Sequence, residues 1–397
     1  MSPSQGEEAS SILVPRSPPA MLSFLRKKSY QHLNKVLISK DALIANHHVL
    51  QQFHPEAAVC PVLKSNAYGH GLREVAPIFD SLHAQFLIVD SLYEAYELYK
   101  LRLKTPILIL GYTAPTNFTV KRLPFDITVF DLETAKVLNE YQPGCRIHLF
   151  IDTGMSREGI TLLELPAFLR ELKKLKNLSV VGVCSHFADA DNSHSQKFTG
   201  QQVTVYKKAL KLVNAAGFRP QWRHIAASAG ALKLHDGVFT MIRGGLAHYG
   251  IHALEKEDRD AEKVLLTPAL TFTSTLVQVK EIPRGVVIGY NGTHKAKRDM
   301  VIGLLPAGYY EGVDRRLSNN GSVSIREQFF PIVGRVSMNM TVIDITLLKQ
   351  PLVGEIVTIY SSNAGAKNSI TASSRRIGTI SYELLVHLAE SVKRVLS

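Results

Sequence analysis

The 397-residue chain is 45% hydrophobic and 20% charged, the balance of a folded globular protein with room for two domains or one large barrel and an appendage. Its 46 Lys+Arg against 34 Asp+Glu give a net charge of +12, which favours anionic small ligands; the basic residues are spread rather than massed beside aromatics, which argues against nucleic acid as a partner. No apolar run approaches the ~18 residues of a membrane helix, and Cys60, Cys145 and Cys184 are spaced for neither a disulfide framework nor a metal, so a cytoplasmic chain with no membrane and no metal is expected.

Residues 1–28 hold Ser, Pro, Gly and Glu around a short apolar patch at Ser11–Val14, too brief for a secretory signal, and read as a tail. Downstream, Val59–Leu63, Phe86–Val89, Pro106–Leu110, Ile127–Phe130, Ile147–Ile151 and Val180–Cys184 read as buried parallel strands. Amphipathic stretches lie between them, such as Ser91–Arg102, with Leu92, Ala95, Tyr96 and Leu98 to one side, and Gln196–Ala216. Repeated βα units predict an α/β fold whose N-terminal part, residues 29–265, is a (β/α)8 barrel of the TIM type, an open doubly wound sheet being the alternative. From 266 to 397 the pattern changes to alternating strands such as Leu270–Leu276, with a turn at Asn319-Asn320-Gly321, and predicts a mainly β domain in which helix returns only over Tyr382–Val395.

Lys64 closes the first of these strands and opens onto Ser65-Asn66-Ala67-Tyr68-Gly69-His70-Gly71. In a barrel, functional groups sit where strands end. Burial disfavours an ammonium, and a neutral lysine amine can form a Schiff base with an aldehyde. Gly69 and Gly71 allow close backbone approach and Tyr68 offers a hydroxyl to a phosphate. A strand-end lysine is also commonly a solvated rim residue, so the motif by itself leaves both readings open.

Further segments follow in order: Asp152–Gly159 (DTGMSREG), Ser185–Ala188, His224–Ser228, Arg243–Gly250 (RGGLAHYG), Gly289–Thr293, Gly308–Gly312, Gly334–Asn339 and Ile380–Glu383. With Val62–Gly71 they make residues 30–397 resemble the alanine racemases, isomerases that use pyridoxal 5'-phosphate in a barrel joined to a β domain. The resemblance implies that Lys64 carries the cofactor as a Schiff base and serves as one of two bases. Tyr290 matches the second, which must act from the opposite face of the cofactor for configuration to invert. A phenol titrates near ~10, so this role requires positive charge or donors nearby. Arg243 matches an arginine that donates to the pyridine nitrogen and discourages its protonation; His224 supports it, and His186 is a further pocket residue. Phosphate is expected on Tyr68, Ser228, Tyr382 and the main-chain amides of Gly245 and Leu246. Arg157 and the Met338 amide match groups that bind the substrate carboxylate, and Tyr309 a tyrosine at the inner gate. The resemblance further implies a homodimer, each site completed by the other subunit's Tyr290, and D-alanine supply for peptidoglycan.

Several positions depart from that pattern. Phe150 stands where the family often has a carbamylated lysine that orients the arginine matched by Arg157, leaving this task to another group, to a bound anion such as chloride or to a side-chain carboxylate in its place. Asn339 replaces Asp, Ala227 replaces Asn, and Gly244 replaces Pro, which is expected to loosen the cofactor pocket slightly. A serine or broad-spectrum racemase is the alternative within the family. A fold-related decarboxylase would carry an acidic group in place of Arg243, and a non-catalytic cofactor carrier would lack the Tyr290 domain.

Overall fold

The structure, a computed structural model, describes residues 30–234, 236–254 and 258–397; the expected tail at 1–28 lies outside them. Eight short parallel strands form a ring. Ala58–Pro61 pairs with Met241–Gly244 on one side, and a bridge from Val62 to Ile88 links it to Leu87–Val89 on the other. The ladder continues through Ile107–Ile109, Asp126–Val129, Cys145–Asp152, Leu178–Cys184 and Trp222–His224. Main-chain bonds from Thr240 N to Arg223 O (3.0 Å) and from Arg243 N to Ala226 O (3.1 Å) close the ring. Leu87–Val89 and Asp126–Val129 are buried at every position, as strands covered on both faces must be.

The intervening helices start where the sequence supplies caps. The hydroxyl of Ser91 accepts from Glu94 N at the head of Leu92–Tyr99, and the Asp131 carboxylate accepts from Thr134 N at the head of Leu132–Tyr141. The longest helix, Lys197–Ala215, buries Tyr206, whose hydroxyl donates to Val183 O at 2.8 Å and ties it to the barrel wall.

The C-terminal part is mainly β. A six-stranded sheet runs in the order Gln328–Pro331, Ser322–Ile325, Ile356–Tyr360, Leu270–Thr275, Lys35–Ile38, Lys393–Leu396. Lys35–Ile38 therefore precedes the barrel in sequence yet pairs antiparallel with Leu270–Thr275 and parallel with Lys393–Leu396. A three-stranded sheet joins Gln278–Ile282, Met300–Leu305 and Thr341–Asp344. Leu33–Ser397 forms one compact unit.

One sequence expectation needs correction: the helical pattern over Tyr382–Val395 is helix only over Ser381–Val386, and Lys393–Leu396 is a strand. The cause is long-range. Lys393–Leu396 takes the sheet edge beside Lys35–Ile38, and the buried Arg394 guanidinium donates to the carbonyls of Leu388, Ala389, Val392 and Gly69, fixing a non-helical path.

Candidate active site

Lys64 lies just past Ala58–Pro61 and begins an unusual turn. Ser65, Asn66, Ala67 and Tyr68 all have φ between +52° and +55°, a left-handed run of non-glycine residues. Each such residue costs about 1–2 kcal/mol, so the turn must be held from outside. Ser65 N donates to Glu94 Oε1 at 2.6 Å, Leu72 N donates to Asn66 Oδ1 at 2.7 Å, and Gly69 O accepts from Arg394 Nη2 at 3.0 Å. Gly69 (φ +77°) packs against the helix Ser381–Val386 so closely that a Cβ there would lie 2.0 Å from Leu385 O.

The turn places Lys64 and Tyr68 on a cavity of about 840 Å3, which Arg157, His186, Ser228, Arg243, Gly245 and Tyr382 also line. Lys64 Nζ contacts Asp90 Oδ1 at 3.2 Å. Ser228 Oγ accepts from the amides of Gly245 (3.0 Å) and Ala247 (3.2 Å). A Cβ at Gly245 would lie 2.7 Å from Tyr68 Oη and 3.7 Å from Ser228 Oγ, so glycine here keeps a pocket of hydroxyls open. The Tyr68 ring stands 6.0 Å from that of Tyr382, and burial pushes the Tyr382 phenol up to about 12, so both are neutral donors at physiological pH. Leu246 is buried next to Gly245 in the chain and is not on the cavity wall.

Arg243 is held from behind. Nη1 donates to His224 Nδ1 and His224 O (both 2.9 Å); Nη2 donates to Ser185 O (2.8 Å), His186 Nδ1 (3.0 Å) and Ile225 O (3.2 Å). Because a guanidinium can only donate, the Nδ1 atoms of His224 and His186 must be acceptors and their protons sit on Nε2. His224 Nε2 then donates to His148 Nδ1 at 2.8 Å, and His148 Nε2 faces Asp126 Oδ2 at 3.4 Å. This line of one-way donors runs from Arg243 through His224 to His148, and Arg146 Nε is 3.1 Å from the same Asp126 oxygen. Burial, then Arg243, Arg157 and Lys64, push His186 down to about 3; burial and Arg243 push His224 far down. Both imidazoles are therefore neutral.

Tyr290, Tyr309 and Met338 are not on this cavity. Tyr290 is 70% exposed on the short turn Tyr290–Gly292. Tyr309 and Met338, 42% and 55% exposed, line a second cavity of about 680 Å3 with Arg316, Glu383 and His387. A single chain thus brings together the residues expected around the cofactor and leaves on its surface Tyr290, expected from a second subunit, with Tyr309 and Met338, expected at the gate and the substrate carboxylate. At Gly244 a Cβ would lie 2.2 Å from His248 Nδ1, so glycine lets this strand end pack closely. The sequence reading missed Asp90, Glu94, Glu158 and the His148–Asp126 pair. Asp90 ends its strand as Lys64 does, and that shared position was a usable signal; His148, inside an apolar strand, gave none.

A buried arginine held by neutral histidines, a strand-end lysine and a cradle of hydroxyls define a cofactor-type site at the mouth of a βα barrel. The N-terminal domain of alanine racemase matches residues 38–253, and the C-terminal domain of alanine racemase matches residues 269–396. Alanine racemase 2 of Caldanaerobacter subterraneus subsp. tengcongensis is 32% identical over 370 residues, 91% of this chain and 94% of that one. The solved alanine racemase of Clostridium difficile 630 superposes with a TM-score of 0.87 at 28% identity, covering 93% of this chain and 97% of that one. The alanine racemase of Bartonella henselae, solved with covalently bound pyridoxal phosphate, shares the fold at a TM-score of 0.79, 22% identity and coverage of 92% and 100%. The chain belongs to the alanine racemase family.

Proposed function

We propose that this protein interconverts L- and D-alanine by moving the α-proton between two bases on opposite faces of bound pyridoxal 5'-phosphate. The observation that carries the reading is the shared cavity of Lys64, Tyr68, Ser228, Arg243 and Tyr382, with an arginine rather than a carboxylate held at its back. The residues fit the cofactor: Lys64 supplies the amine for its aldehyde, and the hydroxyls around Gly245 suit a phosphate dianion. Bound there, the cofactor would supply the conjugated electron sink that acidifies the α-carbon of an attached amino acid.

The side chains of this chain do the rest. Nη1 and Nη2 of Arg243 are taken by histidine and main-chain acceptors, and among the described residues its Nε–H has no partner, so Nε is the donor that would be left to hold the ring nitrogen of the cofactor. Its positive charge, with His224 and His186 neutral, would disfavour protonation of that nitrogen and limit side reactions that need a stronger sink. Lys64 handles the proton on one face. Tyr290 of the partner subunit handles it on the other, since the exposed Tyr290 of the same chain has no place on the Lys64 cavity. Arg157 and the main-chain amide of Met338 of the partner subunit bind the substrate carboxylate, and the partner's Tyr309 narrows the entrance, in a homodimer. Among the described residues no helix is long and apolar enough to cross a membrane; a cytoplasmic enzyme supplying D-alanine for peptidoglycan completes the reading.

The test uses the purified full chain. A visible absorption band from lysine-bound cofactor and decay of the circular dichroism of L-alanine are expected, with L-serine decaying far more slowly. Equal decay of both would assign a broad-spectrum racemase. Release of carbon dioxide as the dichroism decays, with no D-alanine formed, would contradict racemisation.

A further inference from the structure

Arg157 and Glu158 stand on a loop whose path is dictated locally. Asp152 Oδ1 accepts from Gly154 N (2.9 Å) and Ser156 N (3.1 Å), which curls the chain back over the strand end. Gly159, at φ +115°, then crosses so near the strand that a Cβ would lie 2.7 Å from Asp152 N and 2.8 Å from the Phe150 ring. The loop therefore rests directly on Phe150, and Arg157 and Glu158 both reach the cavity. Below them the rings of Phe150 and Phe130 stand 5.4 Å apart, an apolar floor that offers a guanidinium no acceptor.

Glu158 is the acceptor that Arg157 uses. Its carboxylate takes both Nε–H and Nη2–H of Arg157, with Nη2 to Oε1 at 2.6 Å, a two-point pairing that fixes the guanidinium plane. The other carboxylate on the cavity, Asp90, is engaged by Lys64. Five N–H donors less two leaves three, enough to grip a second carboxylate.

We propose that Glu158 is the positioning residue that holds Arg157 for the substrate α-carboxylate, so that this grip needs no bound halide or other added anion. The inference rests on the racemase reading above. Removing the carboxylate leaves a half-exposed guanidinium free to rotate, and a small anion can then occupy the vacated Nε–Nη2 edge. Substrate binding suffers first. Proton transfer, which belongs to other groups, suffers less.

The experiment compares the holoenzyme with Glu158→Gln and Glu158→Ala. In the wild type, KM for alanine is expected to be independent of chloride. In both variants KM rises by about 10- to 100-fold while kcat changes much less, as expected for loss of a charge-assisted pair. Chloride restores KM in Glu158→Ala. Crystals of that variant grown with bromide show an anomalous peak beside Arg157, and wild-type crystals do not. A wild-type KM that falls on adding chloride, a bromide peak beside Arg157 in the wild type, or a Glu158→Ala KM within about twofold of wild type would overturn the proposal. If the wild type binds no cofactor and racemises nothing, the functional reading fails, while the bromide comparison still reports whether Glu158 occupies that edge.

Discussion

Around Lys64 nearly every polar side chain is supported by a second one behind it, whereas Tyr290, Tyr309 and Met338 stand 70%, 42% and 55% exposed on the β-rich C-terminal part. Arg243 has five acceptors and Ser228 caps two amides, and the left-handed turn is tied to Glu94 and Arg394. The three exposed residues sit on turns with open faces. A site that must hold a cofactor through every turnover gains from rigid support built within one chain. A group that arrives from another subunit must instead be displayed on the surface until the two meet.

The comparison is broken most sharply at Tyr290. Tyr290→Ala is expected to slow α-proton exchange from L-alanine by about 10²- to 10⁴-fold, the usual weight of a positioned acid or base, and to spare exchange from D-alanine. Deuterium uptake from each enantiomer measures this, and equal losses contradict the division of labour between phenol and amine. A smaller effect is expected on the rigid side: Gly245→Ala, whose Cβ would press on Tyr68 Oη, should weaken cofactor binding by about tenfold without changing the fold. Equilibrium titration of the apoenzyme checks it, and unchanged affinity would remove Gly245 from the phosphate cradle.

A separate effect is on stability and is specific to the supported side. His47, His70 and His248 are buried behind the lysine turn, and burial pushes them down to about 4, 4 and 3. Their unfolded values lie near ~6.5, so as pH falls below that point the unfolded chain takes up protons that the folded chain refuses. Stability contributed by these neutral histidines is present above about 6.5 and is lost toward lower pH, at roughly 1.4 kcal/mol per histidine per pH unit. The urea midpoint should therefore drop steadily from pH 6.5 to about 5, and a flat profile would show that the histidines titrate normally.

How much of this could be read from the residues alone depends on the range of the interaction. Six of the eight barrel strands announce themselves as apolar runs, and Lys64 at the end of one of them is visible as a candidate. Trp222–His224 and Met241–Gly244 are too short and too polar to stand out, and only ring closure makes them strands. Nothing in Ser65-Asn66-Ala67-Tyr68 foretells four left-handed residues, because the groups that hold them, Glu94 and Arg394, lie far along the chain. The same holds for Lys35–Ile38, whose partners are Leu270–Thr275 and Lys393–Leu396. Phe150 was legible as a departure, and its consequence for Arg157 became visible only through the Glu158 pairing. Tyr290 was legible only through resemblance, since an exposed tyrosine on a turn carries no signal of its own.

The central claim is that one chain's Lys64 works with another chain's Tyr290, and mixing two inactive variants tests it most directly. Lys64→Ala and Tyr290→Ala homodimers are each expected to be inactive in racemisation, yet a re-equilibrated mixture forms heterodimers in which one site keeps both bases. Half the dimers with one good site of two should recover about a quarter of wild-type activity. Recovery near that level is what the account predicts; a mixture that exchanges subunits and stays inactive would contradict it.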